Sequence, residues 1–160
     1  QVIHPKTIKP LQNKHIPLYV KSFLHPEAEG TVIQQNANAQ LPPVIIVKQK
    51  QLLLHLRTKD FSFISEQPLS KAYELLSTFF IKPNLIQIGA IHLQIGIDNK
   101  ALVAEQFIAA VCEYFDVSVE ANLTLLTIRH YTKDVVNDML EGRNLLLLQQ
   151  TPKTIQILYQ

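Results

Sequence analysis

NLIQIGAIHLQIGID, residues 84–98, reads as two strands, 84–90 and 91–98, joined by a tight turn. In the second strand Ile91, Leu93, Ile95 and Ile97 alternate and therefore share one side. Upstream, Pro68 opens a helix whose Leu69, Ala72, Tyr73, Leu76 and Phe80 recur at the 3–4 spacing of a single face, and Pro83 ends it. Before that helix lie a loop, 60–67, and a strand, QLLLHLRT at 51–58. Downstream, Asp98-Asn99 can cap a helix over about 100–114, with Val103, Phe107, Ala110, Val111 and Tyr114 on one face. A strand at 117–120 follows. The order β-α-β-β-α-β over 51–121 predicts an α+β, ferredoxin-like unit, two helices on one side of a four-stranded antiparallel sheet.

Further outward the pattern repeats and stops short. Residues 123–129 read as a strand, Thr132 caps a helix to about Glu141, and Gly142 ends it. Strands at 145–149 and 154–159 flank a turn at Thr151-Pro152, which gives β-α-β-β without a final α-β. Val44-Ile45-Ile46-Val47 is a short strand set off from 51–58 by a turn at Gln49-Lys50, and the polar QQNANAQLPP at 34–43 is a connector. At the start, HPKTIKPLQNKHIPLYVKSFLHPEAEGTVI (4–33) reads as a helix from Pro5 to about 14, then a strand over 16–23 carrying Ile16, Leu18, Val20 and Phe23. Pro5 suits a first helical position, whereas Pro10 is awkward in an interior and sets the start of the regular part there. A turn at His25-Pro26 and Gly30 follows. A helix and a strand alone cannot bury their apolar sides. The expectation is therefore a unit at 44–122 inserted into a second, discontinuous unit of 5–33 plus 123–160, with the opening strand in the sheet of the last forty residues.

Composition narrows the function classes. Charged residues make up 18% and the net charge is +2, too little to argue for nucleic acid or an acidic membrane surface. The one cysteine, Cys112, excludes an internal disulfide, fits a reducing compartment, and reads as a small buried hydrophobe of its helix. No apolar run nears the roughly 18 residues that span a bilayer, and Pro5 and Pro10 break any signal-peptide pattern. Beginning at Gln1 inside a motif, the chain is expected to be a cytoplasmic fragment of a longer protein. Four glycines leave no phosphate-cradling loop, the six histidines show no metal-ligand spacing, and no catalytic residue or metal site is expected.

HPKTIKP at 4–10, IPLYV at 16–20 and PEAEGT at 26–31 resemble the segment that leads from the kinase domain into the regulatory region of aspartate kinases, with Leu11 and Lys21-Ser22 as departures. The resemblance implies two ACT domains, one inserted in the other, serving allosteric regulation of an enzyme that phosphorylates L-aspartate with ATP. ATP and magnesium would belong to the kinase domain, not to this stretch. It implies that an effector amino acid, lysine or threonine, binds at the loop before the first inner helix and at the start of the next strand. There backbone N–H groups hold the carboxylate and an acid takes the ammonium. The family's Ser-x-Gly-Phe-Leu falls on Ser65-Glu66-Gln67-Pro68-Leu69, its Asp on Asn84, and its Ser-Glu on Gly89-Ala90. Ser65, Gln67, Leu69 and Asn84 are the candidate effector residues.

The substitutions point to a degenerate lysine pocket. Gln67 fills the space of a glycine, Pro68 lacks an N–H, Asn84 removes a negative charge, and Ala90 removes an acid. A charged hydrogen bond is worth about 1.5–3 kcal/mol, so losing two or three abolishes useful affinity. Leu85, Ile86, Gln87 and Ile88 form an edge strand with no proline or blocking charge, the kind that pairs unless protected. ACT domains join side by side through this edge, so a homodimer is implied. Two other readings compete. An ACT-type subunit of another amino-acid enzyme would lack the 4–33 motif. An RNA-binding βαββαβ module would need aromatic residues on strands 51–58 and 91–98, which offer Leu54, His55, Leu56, His92, Leu93 and Gln94.

Overall fold

The computed structural model describes residues 3–34 and 41–160, so most of the 34–43 connector lies outside the described residues. The chain divides into two compact units, 1–41 and 42–160.

The first unit holds helix α1 (Pro5–Asn13) and strands β1 (Leu18–Val20) and β2 (Thr31–Ile33). His4 caps α1 by accepting from the Lys6 N–H through Nδ1. The helix runs unbroken through Pro10, contrary to the expectation of a late start. The strand is shorter than the expected 16–23, and Phe23 is almost wholly exposed. It pairs antiparallel with β2, Tyr19 opposite Val32, in a two-stranded sheet of its own. The expected placement of this strand in the sheet of the last forty residues is thus corrected: its hydrogen-bonding partner lies eleven residues away, across the Gly30 turn.

The second unit is one six-stranded antiparallel sheet with three helices. Its elements are β3 (Val44–Thr58), α2 (Glu66–Thr78), β4 (Leu85–Ile88), β5 (His92–Asp98), α3 (Ala101–Cys112), β6 (Phe115–Arg129), α4 (Lys133–Leu140), β7 (Leu145–Gln150) and β8 (Thr154–Tyr159), and the strand order is β4-β5-β3-β6-β8-β7. Sequence reasoning separates 44–47 from 51–58 and 117–120 from 123–129. Each pair is instead one long strand, and the register shifts where β3 carries Gln49-Lys50 and β6 carries Ala121-Asn122. Lys50 and Asn122 take left-handed backbone angles there, φ 54° and 59°, as extra residues in a bulge do.

The bulges divide the sheet into halves. Beyond them, β4, β5, the second half of β3 and the first half of β6 form the expected ferredoxin-like order, with α2 and α3 on one face. Leu54, Leu56, Leu93, Ile95 and Phe107 are buried between. On the other side, β7, β8 and the second half of β6 continue into residues 44–48. The first half of β3 therefore occupies the fourth-strand place that was expected to fall to 16–23. Here α4 covers Leu126, Ile128, Ile155, Ile157 and Tyr159 through Val135, Val136 and Met139.

The sheet also folds over. β4 and β7 are its two outermost strands, yet Gln149 on β7 donates from Nε2 to the Ile86 carbonyl on β4 at 2.6 Å. Leu53 and Leu85 of one half join Leu123, Leu125, Leu147 and Leu158 of the other in a single buried cluster. The two helix-free faces thus meet, and the helices lie outside.

Candidate functional site

The loop between β3 and α2 is built by local hydrogen bonds. Asp60 accepts from the Ser62 N–H at 3.1 Å, and the Thr58 hydroxyl donates to the Ser62 carbonyl at 2.6 Å. Hydrogen bonding from the Ser62 side chain first, and from its backbone N–H second, holds the Asp60 carboxyl below its ordinary 3.8. Ser65 is the N-cap residue of α2, but its hydroxyl caps no backbone N–H. It faces an open pocket of about 370 Å³ lined by Thr58, Lys59, Asp60, Ser62, Ser65, Gln67, Pro68, Lys71, Tyr114 and Phe115. Lys71 crosses the rim, bonded to Glu74 at 3.1 Å and 4.3 Å above the Tyr114 ring. The bond to Glu74 raises the Lys71 ammonium above its usual range.

Two of the four candidate effector residues, Ser65 and Gln67, therefore line one pocket. Leu69 does not: it packs against the core under α2. Asn84 does not either. It precedes β4, at the end of the sheet where β3 passes Gln51, about seven residues or roughly 23 Å of strand from Thr58. Its side chain is fully engaged. Nδ2 donates to Asp98 Oδ1 at 2.7 Å and to Gln51 Oε1 at 2.8 Å, while Oδ1 accepts from Lys48 Nζ at 2.7 Å. Gln51, almost wholly buried, also donates to Asp98 Oδ1 at 2.9 Å. Asp98 is held below the usual carboxylate range by the Gln51 bond first, then by Asn84 and the Lys48 and Lys100 charges. Asn84 thus ties the start of β4 to the bulge of β3.

Lys59, Lys71 and Tyr114 are pocket residues that sequence reasoning missed. Lys71 could have been found from its place one turn into the helix after Pro68. Tyr114 reaches the pocket only through the packing of α3 against α2. Cys112, expected to be buried, is exposed at the last residue of α3. The Asp98-Asn99 cap is not formed either: Lys100 is the N-cap residue, and no side chain caps α3.

The edge residues sit as expected on β4, with Leu85 buried, Ile86 half-buried, and Gln87 and Ile88 exposed. The Gln149 amide occupies one carbonyl of that edge. On the helix-free face beyond the fold-over, His55 lies 2.8 Å from Glu120 and 3.1 Å from Gln94, and Arg57 pairs with Asp116 at 3.2 Å. Where an RNA-binding sheet would carry stacking rings, this face holds His55, His92 and Gln94. Among the described residues no group of three or more His, Cys, Asp or Glu could hold a metal, and no helix is long and apolar enough to cross a membrane.

No protein-family profile matches the chain, and no curated protein does either. Solved structures do. E. coli aspartokinase III in complex with lysine and aspartate is similar over 99% of this chain and 38% of its own, at 21% identity and a TM-score of 0.70. Aspartate kinase from Clostridium acetobutylicum is similar over 99% of this chain and 41% of its own, at 15% identity and TM-score 0.77. A putative C-terminal regulatory domain of aspartate kinase from Porphyromonas gingivalis matches 73% of this chain and 85% of its own, at 12% identity and TM-score 0.60. The chain therefore has the fold of aspartokinase regulatory regions, and it spans about two fifths of the two longer enzymes.

Proposed function

We propose that this chain is the allosteric regulatory region of an aspartate kinase, whose whole protein phosphorylates the side-chain carboxylate of L-aspartate with ATP on the route to lysine, threonine and methionine. The observation that carries this reading is the ferredoxin-like half with its pocket at the N-terminus of α2, within a chain that aligns over 99% of its own length with part of two aspartokinases. The 4–33 motif separates it from an ACT-type subunit of another enzyme. The outermost strand β4, free of proline and charge and with the Ile86 carbonyl taken by Gln149, supports side-by-side homodimerisation. The fold and the reducing-compartment composition favour a cytoplasmic protein.

The effector pocket in this reading departs from a lysine site. Asn84 serves the β3 bulge rather than an ammonium, and the pocket by Ser65 and Gln67 carries Lys59 and Lys71. Titration calorimetry of the chain with lysine and with threonine is expected to show no binding tighter than about millimolar. Micromolar lysine binding that moves the Ser62–Lys71 amides would overturn the degenerate pocket. In the full-length protein, ATP-dependent phosphorylation of L-aspartate is expected, and its absence would overturn the parent reaction.

A further inference from the structure

A second cleft lies at the opposite end of α2 from the Ser65 pocket, about 20 Å away by the length of a 13-residue helix. It holds about 340 Å³ and is lined by Phe79, Phe80, Ile81, Lys82, Asp98, Lys100, Val103 and Ala104. That volume is at the lower end of ligand pockets. Its floor is apolar: Phe79 stacks edge-on against Phe107 of the core, and Ala104 is buried. Its rim is cationic. Neither Lys82 nor Lys100 makes an ion pair within 4.0 Å among the described residues. The one acid in the lining, Asp98, bonds Gln51 and Asn84 through Oδ1 and lies within reach of the Lys48 and Lys100 charges.

Phe80 is the independent sign that this cleft is more than a gap. It follows the last turn of α2 with φ 52°, the left-handed position that helices usually give to glycine, and its N–H bonds back to the Ser77 carbonyl at 3.1 Å. A bulky residue there is strained, and its ring gains no burial in return, being 94% exposed. Strain of this kind clusters at ligand clamps and switch regions; Phe61, in the loop before α2, carries a similar angle, φ 58°.

We propose that this cleft binds a small carboxylate bearing an aromatic or branched aliphatic group, the carboxylate between Lys82 and Lys100 and the apolar part between Phe80 and Val103. The site is separate from the Ser65 pocket, and its fate does not depend on whether lysine binds there.

The test is a titration of the 160-residue chain, followed by backbone amide shifts, with phenylacetate and 4-methyl-2-oxopentanoate, and with phenylacetamide as the uncharged control. Saturable shifts are expected at Ile81, Lys82 and Val103, with the amide control at least about tenfold weaker. The double variant Lys82→Ala/Lys100→Ala is expected to lose about tenfold or more in affinity. Phe80→Gly, which relieves the backbone and keeps the fold, is expected to weaken binding several-fold while leaving distant amides unmoved. No saturable shift at these amides up to about 10 mM ligand, equal binding of phenylacetamide, or full affinity in the double variant would each overturn the site.

Discussion

Among single residues, Asn84 shows how a motif alignment can single out a position without its neighbours. Alignment to a family motif sets it where an acid would meet an ammonium. The structure gives its amide three partners instead, Asp98, Gln51 and Lys48. The missing charge was legible; the network was not, because Gln51 and Asp98 reach Asn84 only through strand pairing. Restoring the acid therefore has a definite cost. In Asn84→Asp two donors vanish and a carboxylate faces Asp98 across about 2.7 Å, and Lys48 offsets only part of this. Loss of about 1–3 kcal/mol is expected at neutral pH, read from urea midpoints. The pH dependence has a fixed sign. Asp98 is depressed below 3.8 in the native state, so its contribution is present above that value and fades as pH falls through the native one. In the variant, mutual repulsion raises the pair's titration, so the gap between variant and wild type should narrow as pH falls from 7 towards 3. A gap that stays constant would show that the two carboxylates do not interact.

At the level of elements, apolar spacing located α2 and α3, because it is set by burial on one face, while proline and cap residues located α1 and α4. Phe80, read on the α2 face, lies past its end and is exposed. What spacing could not tell was a turn from a bulge. Gln49-Lys50 and Ala121-Asn122 interrupt the alternation in the same way whether the chain reverses or runs on with an extra residue. Reading them as breaks left the second half one strand short, and the opening strand was recruited to fill it. β2 was missed for a different reason: three residues after a glycine turn carry too short a pattern. That turn makes a prediction of its own. Gly30 has φ +74°, and a Cβ there would sit 2.4 Å from the Val20 carbonyl oxygen. The obstacle is backbone and cannot swing away. Gly30→Ala should cost about 1–3 kcal/mol locally and unpair β1 from β2, seen as faster amide exchange at the Leu18–Val20 and Thr31–Ile33 ladder. Unchanged protection there would mean that the pairing does not depend on this turn.

For the larger unit, the decisive arrangement is the closure of the sheet on its own helix-free face. Strand alternation predicts that Leu53 lies opposite Leu52 and Leu54, and so away from α2 and α3. In an isolated ferredoxin-like unit that face is open to water, and a leucine there would contribute little. In this chain Leu53 is fully buried, against Leu85, Leu123, Leu125, Leu147 and Leu158. The two bulges are what allow it, since they bend β3 and β6 and let the second half turn back over the first. The consequence is measurable at one position. Leu53→Ala should cost about 3–5 kcal/mol, the range for a leucine cavity that cannot collapse, and so match Leu54→Ala under the helices. If the halves did not meet, Leu53→Ala would fall to the few tenths of a kcal/mol typical of surface changes while Leu54→Ala kept its full cost. Urea unfolding of the two variants side by side therefore separates a sheet closed by its own second half from a flat one. Only the closed form also gives the Ile86 carbonyl a partner in Gln149.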